Sequence, residues 1–145
     1  MKEAMASAPY LIALTAGLLA QLSKFLAHII IFRKINFTRL VSTGGMPSAH
    51  SASVAALSTA VAFREGAQST LFAVTLFFSL VIMHDAAGLR RAAGMQARVL
   101  NRILEDRYAH RGHLPERMSE LLGHTPFEVF VGAALGVIYG LIWYL

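Results

Sequence analysis

Residues 123–145 read GHTPFEVFVGAALGVIYGLIWYL, a short polar segment with a histidine that runs directly into a stretch whose single charged residue is Glu128. At 1.5 Å of rise per residue, about 20 mostly apolar residues carry a helix across a hydrocarbon layer roughly 30 Å thick. Pro126 to Leu145 therefore predicts a membrane-spanning helix. A second segment, Gly44-Gly45-Met46-Pro47-Ser48-Ala49-His50, has the same construction ahead of an apolar run from Pro47 to Phe63. Each offers a histidine and backbone amides at a helix start, where unpaired N–H groups and the helix dipole favour an anion. The pair suggests phosphate chemistry at a membrane surface.

The rest of the chain agrees with a membrane setting. Of its 145 residues, 56% are apolar and 14% charged, against about 45–50% and about 25% in ordinary soluble domains. Four segments approach spanning length: Pro9 to Phe32, Pro47 to Phe63, Thr70 to Ala87, and Pro126 to Leu145. The expected fold is all-α, an integral membrane bundle of about four transmembrane helices, forming a single domain over residues 1–145. The second segment is short and rich in Ala, Ser and Thr, residues that let backbones approach closely, so it belongs inside the bundle. The first lacks a separate basic region and a clear cleavage site, and reads as a retained helix. Glu65-Gly66 closes the second helix, and Ser69 or Thr70 caps the third. With no cysteine in the chain, disulfides, thiolate catalysis and cysteine-based zinc sites are excluded.

Between the third and fourth crossings, Ala92/Ala93, Gln96/Ala97, Val99/Leu100 and Ile103/Leu104 recur with helical period, while Arg98, Arg102 and Glu105 fall elsewhere on the wheel. This predicts an amphipathic interfacial helix, lying on the membrane or against the bundle. Four crossings place the first loop and this long segment on one side. Ten of the thirteen basic residues then share that side: Arg33, Lys34, Arg39, Arg90, Arg91, Arg98, Arg102, Arg107, Arg111 and Arg117. The positive-inside rule puts this face in the cytoplasm and both termini outside, with the plasma (inner) membrane the expected location. His50, Asp85, His124 and Glu128 lie at or near it.

Removing a phosphoryl group from a lipid phosphate requires a nucleophile, a proton donor for the leaving alcohol, and positive charge around the phosphate oxygens. Two imidazoles and the surrounding arginines and lysines offer these parts. Pro47-Ser48-Ala49-His50 resembles the Pro-Ser-Gly-His motif of the type 2 phosphatidic acid phosphatase (PAP2) superfamily, which includes vanadium haloperoxidases. His124 and Glu128 resemble its His-x-x-x-Asp motif. The longer strings Ser42 to Ser51, Asp85 to Gly94, and Leu121 to Glu128 are closer to the divergent PAP2 family of small membrane proteins, and the likeness runs from about Gln21 to Gly136.

The resemblance implies a PAP2-like bundle and a metal-independent phosphatase working through a phosphohistidine, with no cofactor. It makes His124 the nucleophile, Glu128 the carboxylate that orients it, and His50 the general acid, while Ser48 and the Gly45 amide contact phosphate. Alanine stands at position 49 and glutamate at 128, and no Lys-x6-Arg-Pro motif is present. Arg90 and Arg91 would supply charge from a helix end, and Lys24, Arg33 and Arg39 would stand in for the absent motif.

Other roles remain open to these residues. Thr125-Pro126-Phe127-Glu128 is a capping-box pattern, which would occupy the Glu128 carboxylate with the Thr125 amide. Asp85 could pair with Arg90 or Arg91 at the end of the third helix. Lys24 could snorkel to the interface or reach inward to phosphate. His110 and His113 lack a third metal ligand and read as solvated. The expected partners are a lipid phosphate or diphosphate and anionic membrane lipids, which attract Arg98, Arg102 and Arg107. The basic residues flank membrane helices and lack aromatic neighbours for bases, so nucleic acid is not expected. A homodimer would enlarge the small enclosure that four helices make. A non-catalytic protein that binds, senses or transports a phosphorylated lipid is the alternative, and an assembly factor with a basic face is a third.

Overall fold

The computed structural model describes residues 7–35, 45–108, 118 and 123–145, with the side chains of residues 89–91 excepted. Five helices follow in order: α1 (Pro9–Phe32), α2 (Ala49–Glu65), α3 (Thr70–Ala87), α4 (Leu89–Tyr108) and α5 (Pro126–Tyr144). Among the described residues there is no strand. The protein is an all-helical membrane bundle.

Local chemistry sets the helix ends. Pro9 and Pro126 occupy first turns, where a missing N–H costs nothing. Ser48 caps α2 by accepting the Ser51 amide, and Ser69 caps α3 by accepting the Phe72 amide at 3.1 Å. Gly66, at φ 90°, ends α2 in a conformation that a side chain would strain.

Three helices, α1, α3 and α5, are long and apolar enough to cross a membrane. The 17-residue α2 falls short of that measure by itself. It occupies the centre, packed by α1, α3 and α5, with Ser51, Ala52, Ala55, Ala56, Ser58, Ala60 and Val61 buried. A helix shielded by protein need not present a lipid-compatible surface, which explains its small, half-polar sequence.

Lipid tails are as apolar as leucine, so close packing rather than the hydrophobic effect must hold these helices together. The α2–α5 contact shows how. Gly132, Gly136 and Gly140 line one face of α5, each buried. A Cβ on Gly132 would strike the backbone of Ser48, one on Gly136 the backbone of Ala52, and one on Gly140 would lie 2.9 Å from Thr59 Cβ. The missing side chains let α2 and α5 approach closely over about two turns, multiplying dispersion contacts. On the other side of α2, the Ser79 hydroxyl pairs with Ser58 at 2.8 Å and donates to the Val54 carbonyl at 3.1 Å, fastening α3. Away from the histidines, Ile12, Ala16, Ala56 and Ala60 form a core against which Tyr139, Trp143 and Tyr144 pack.

The amphipathic α4 touches the bundle through α3. Its apolar residues Met95, Val99, Leu100 and Ile103 are exposed, as expected of a helix whose partner is the membrane surface. Asn101 is buried and clamps Met118, donating to its carbonyl and accepting its amide, both at 2.9 Å.

Candidate functional site

The two histidine segments meet because the starts of α2 and α5 are side by side. Gly132 admits the Ser48 backbone, and the Ser48 amide donates to the Glu128 carbonyl at 3.1 Å. The His124 amide donates to the Ala86 carbonyl at the end of α3, also at 3.1 Å. These two backbone bonds join three helix ends. They bring His50, in the first turn of α2, to a ring-centroid distance of 6.4 Å from His124, with the rings edge to face.

His124 is 3% exposed, while His50 is open to the surroundings. The His124 Nδ1 and Glu128 Oε2 are 3.1 Å apart. The same Oε2 accepts the Thr125 amide at 3.2 Å, and Thr125 Oγ1 accepts the Glu128 amide at 3.3 Å. The capping box is therefore present, and it coexists with the His124 contact on a single oxygen. A glutamate three residues into a helix can fold back this way, and its charge also complements the helix N-terminus. A carboxylate accepts and cannot donate, so it favours the imidazole tautomer with hydrogen on Nδ1 and a lone pair on Nε2.

Ser48 is completely buried, and its hydroxyl accepts from the Ser51 amide at 3.3 Å and the Ser51 hydroxyl at 3.0 Å. The Ser48 hydroxyl thus holds the turn that presents His50. Gly45 is exposed, at φ 81°, and a Cβ there would sit 3.7 Å from Lys24 Cδ. Lys24 is half-buried, and its aliphatic stem runs past this loop.

The other sequence-predicted residues are less central. Arg33 is the exposed C-cap of α1, at φ 50°, about 13 Å along the helix from Lys24. Asp85 is half-buried, next to the Ala86 carbonyl that anchors His124. Arg39, His110, His113 and the side chains of Arg90 and Arg91 lie outside the described residues, as does any pairing of Asp85 with those arginines. Sequence reasoning missed Gly132, Ser51 and Ala86. Gly132 had a readable signal in the four-residue spacing Gly132, Gly136, Gly140; Ala86 acts through its carbonyl, which has no sequence signature.

The sequence signature of the divergent PAP2 family matches residues 5–139. The chain is 40% identical to a protein of Bacillus subtilis (strain 168) named "Uncharacterized membrane protein YuiD", over 97% of this chain and 96% of the relative. No solved structure is a significant match. With its paired histidine segments at the starts of two contacting helices and this likeness along nearly its whole length, the chain is a membrane protein of the divergent PAP2 family.

Proposed function

We propose that the protein is a metal-independent phosphatase that hydrolyses a lipid phosphate or diphosphate through a phosphohistidine. The observation that carries this reading is the His124 Nδ1–Glu128 Oε2 contact at 3.1 Å, with the His50 ring 6.4 Å away. Glu128 orients His124 so that Nε2 faces phosphorus with its lone pair. Nε2 attacks, the bond from phosphorus to the leaving oxygen breaks, and His50 gives that oxygen its proton. Water then attacks phosphorus, His50 takes the water's proton, and the P–N bond breaks to release phosphate and restore His124. Lys24 and the Gly45 amide face the phosphate oxygens. Ser48, completely buried, acts through the α2 cap that presents His50 rather than by touching phosphate.

The site faces the cytoplasm and the protein resides in the plasma membrane, on the strength of the basic residues gathered on that side. Anionic lipids meet the exposed arginines of α4, Arg98, Arg102 and Arg107.

The test is phosphate release by purified protein from phosphatidate, phosphatidylglycerophosphate and a polyprenyl diphosphate, in EDTA. Chelator-resistant release that His124→Ala and His50→Ala both abolish supports the phosphatase. Folded protein that binds phosphate yet releases none from any of these lipids overturns it in favour of binding, sensing or transport of a phosphorylated lipid.

A further inference from the structure

An open groove of about 520 Å³ runs between α1, α2 and α3, within the roughly 300–1,000 Å³ range of small-molecule sites. Leu14 and Leu18 of α1, Val54 of α2 and Ile82 of α3 form its walls, and His50 is part of its lining. Small residues create it. Gly17 faces Ser53 and approaches the Ala49 carbonyl, so α1 and α2 lie close at that level while the larger side chains stand to either side.

The groove has a direction. His50 is in the first turn of α2 and Val54 is one turn deeper; along α1 the lining runs from Gln21 back to Leu14, about 10 Å. It begins at the candidate site and continues into the membrane-spanning part of the bundle. Its side is open, since Leu18 is 69% exposed on a helix that faces hydrocarbon. A helix about 10 Å across would need about 800 Å³ over that length, more than the groove holds. A hydrocarbon chain matches its apolar walls and its bounded volume.

We propose that this groove holds one hydrocarbon chain of a lipid phosphate, entering sideways from the bilayer and placing the headgroup at His50. The identity of that headgroup rests on the phosphatase reading; the apolar occupant rests on the groove itself. A second groove, about 380 Å³ between α1 and α5, is lined by Leu19, Val131, Leu135 and Ile138 and by neither histidine. It is an internal control for lipid that merely coats the protein.

The test uses full-length protein in phosphatidylcholine vesicles with a hexadecyl phosphonate carrying a mid-chain diazirine. Insertion after illumination is mapped by mass spectrometry with and without excess hexadecyl phosphonate. At a competitor concentration about ten times its Kd, insertion into Leu14, Leu18, Val54 and Ile82 should fall about tenfold. Insertion into Leu135 and Ile138 should not, and Ile82→Trp should remove the competed signal. Competed insertion at both grooves alike, or at neither, overturns the proposal. The readout needs no turnover. Chelator-resistant hydrolysis without competed insertion sinks the groove and leaves the phosphatase standing, whereas competed insertion without hydrolysis does the reverse.

Discussion

The Ser48 amide donates to the Glu128 carbonyl across 3.1 Å, joining two residues eighty positions apart in the chain. That bond sets the spacing of the histidines, and it exists because Gly132 has no side chain to keep the α2 backbone away. Gly132→Ala and Gly140→Ala should both destabilise the bundle, by about 1–3 kcal/mol, as extra atoms in a packed interface do. Gly132→Ala should also reduce phosphate release far more than Gly140→Ala, because only the first displaces Ser48. Denaturant unfolding in detergent, set beside activity for the two variants, checks this; equal activities would detach the glycine contact from the site.

Glu128→Gln separates the two tasks of one side chain. Glutamine still serves a capping box, so thermal stability should change little. Its amide can donate to Nδ1 and hold the proton on Nε2, where it blocks attack. The turnover rate should fall by up to about 10⁴, the size of the tautomer effect in a serine-protease triad. Glu128→Ala loses the cap as well and should cost about 0.5–2 kcal/mol in stability. Parallel melting curves and turnover rates decide whether the carboxylate is more than a cap.

Activity should be bell-shaped in pH. Attack needs His124 neutral, so the rate falls as pH drops and that ring gains a proton. The leaving group needs His50 protonated, so the rate falls again as pH rises and His50 loses one. The profile is measured from about pH 5 to 8. His50→Ala should flatten the high-pH limb while lowering turnover about 10²–10⁴-fold. A flat wild-type profile over that interval would remove the two-histidine mechanism.

The absence of cysteine makes orientation directly measurable. Ala67→Cys, in the turn between α2 and α3, should react with a membrane-impermeant maleimide added to intact cells, whereas Ile35→Cys, just beyond α1, should react only after permeabilisation. The opposite pattern would invert the bundle and put the histidines outside.

Much of the architecture was legible because membrane helices obey a simple length and apolarity rule. Pro9–Phe32, Thr70–Ala87 and Pro126–Tyr144 each carry that pattern without help from neighbours. The Ala- and Ser-rich α2 was readable as an interior helix because its composition suits protein neighbours better than lipid. The candidate pair His124 and Glu128 was visible through its resemblance to a His-x-x-x-Asp motif.

The sequence alone determined the helical membrane class and the course of the apolar helices, because these follow from local composition and length; the candidate residues were named by resemblance to a family motif. Only the tertiary structure decided that one Glu128 oxygen serves both His124 and the Thr125 amide. It also decided that Ala86 holds His124 through its carbonyl, and that an apolar groove reaches His50. The physical reason is range. A backbone carbonyl is the same in every residue, and a groove is the space left between helices; neither has a local sequence pattern until packing brings the helices together.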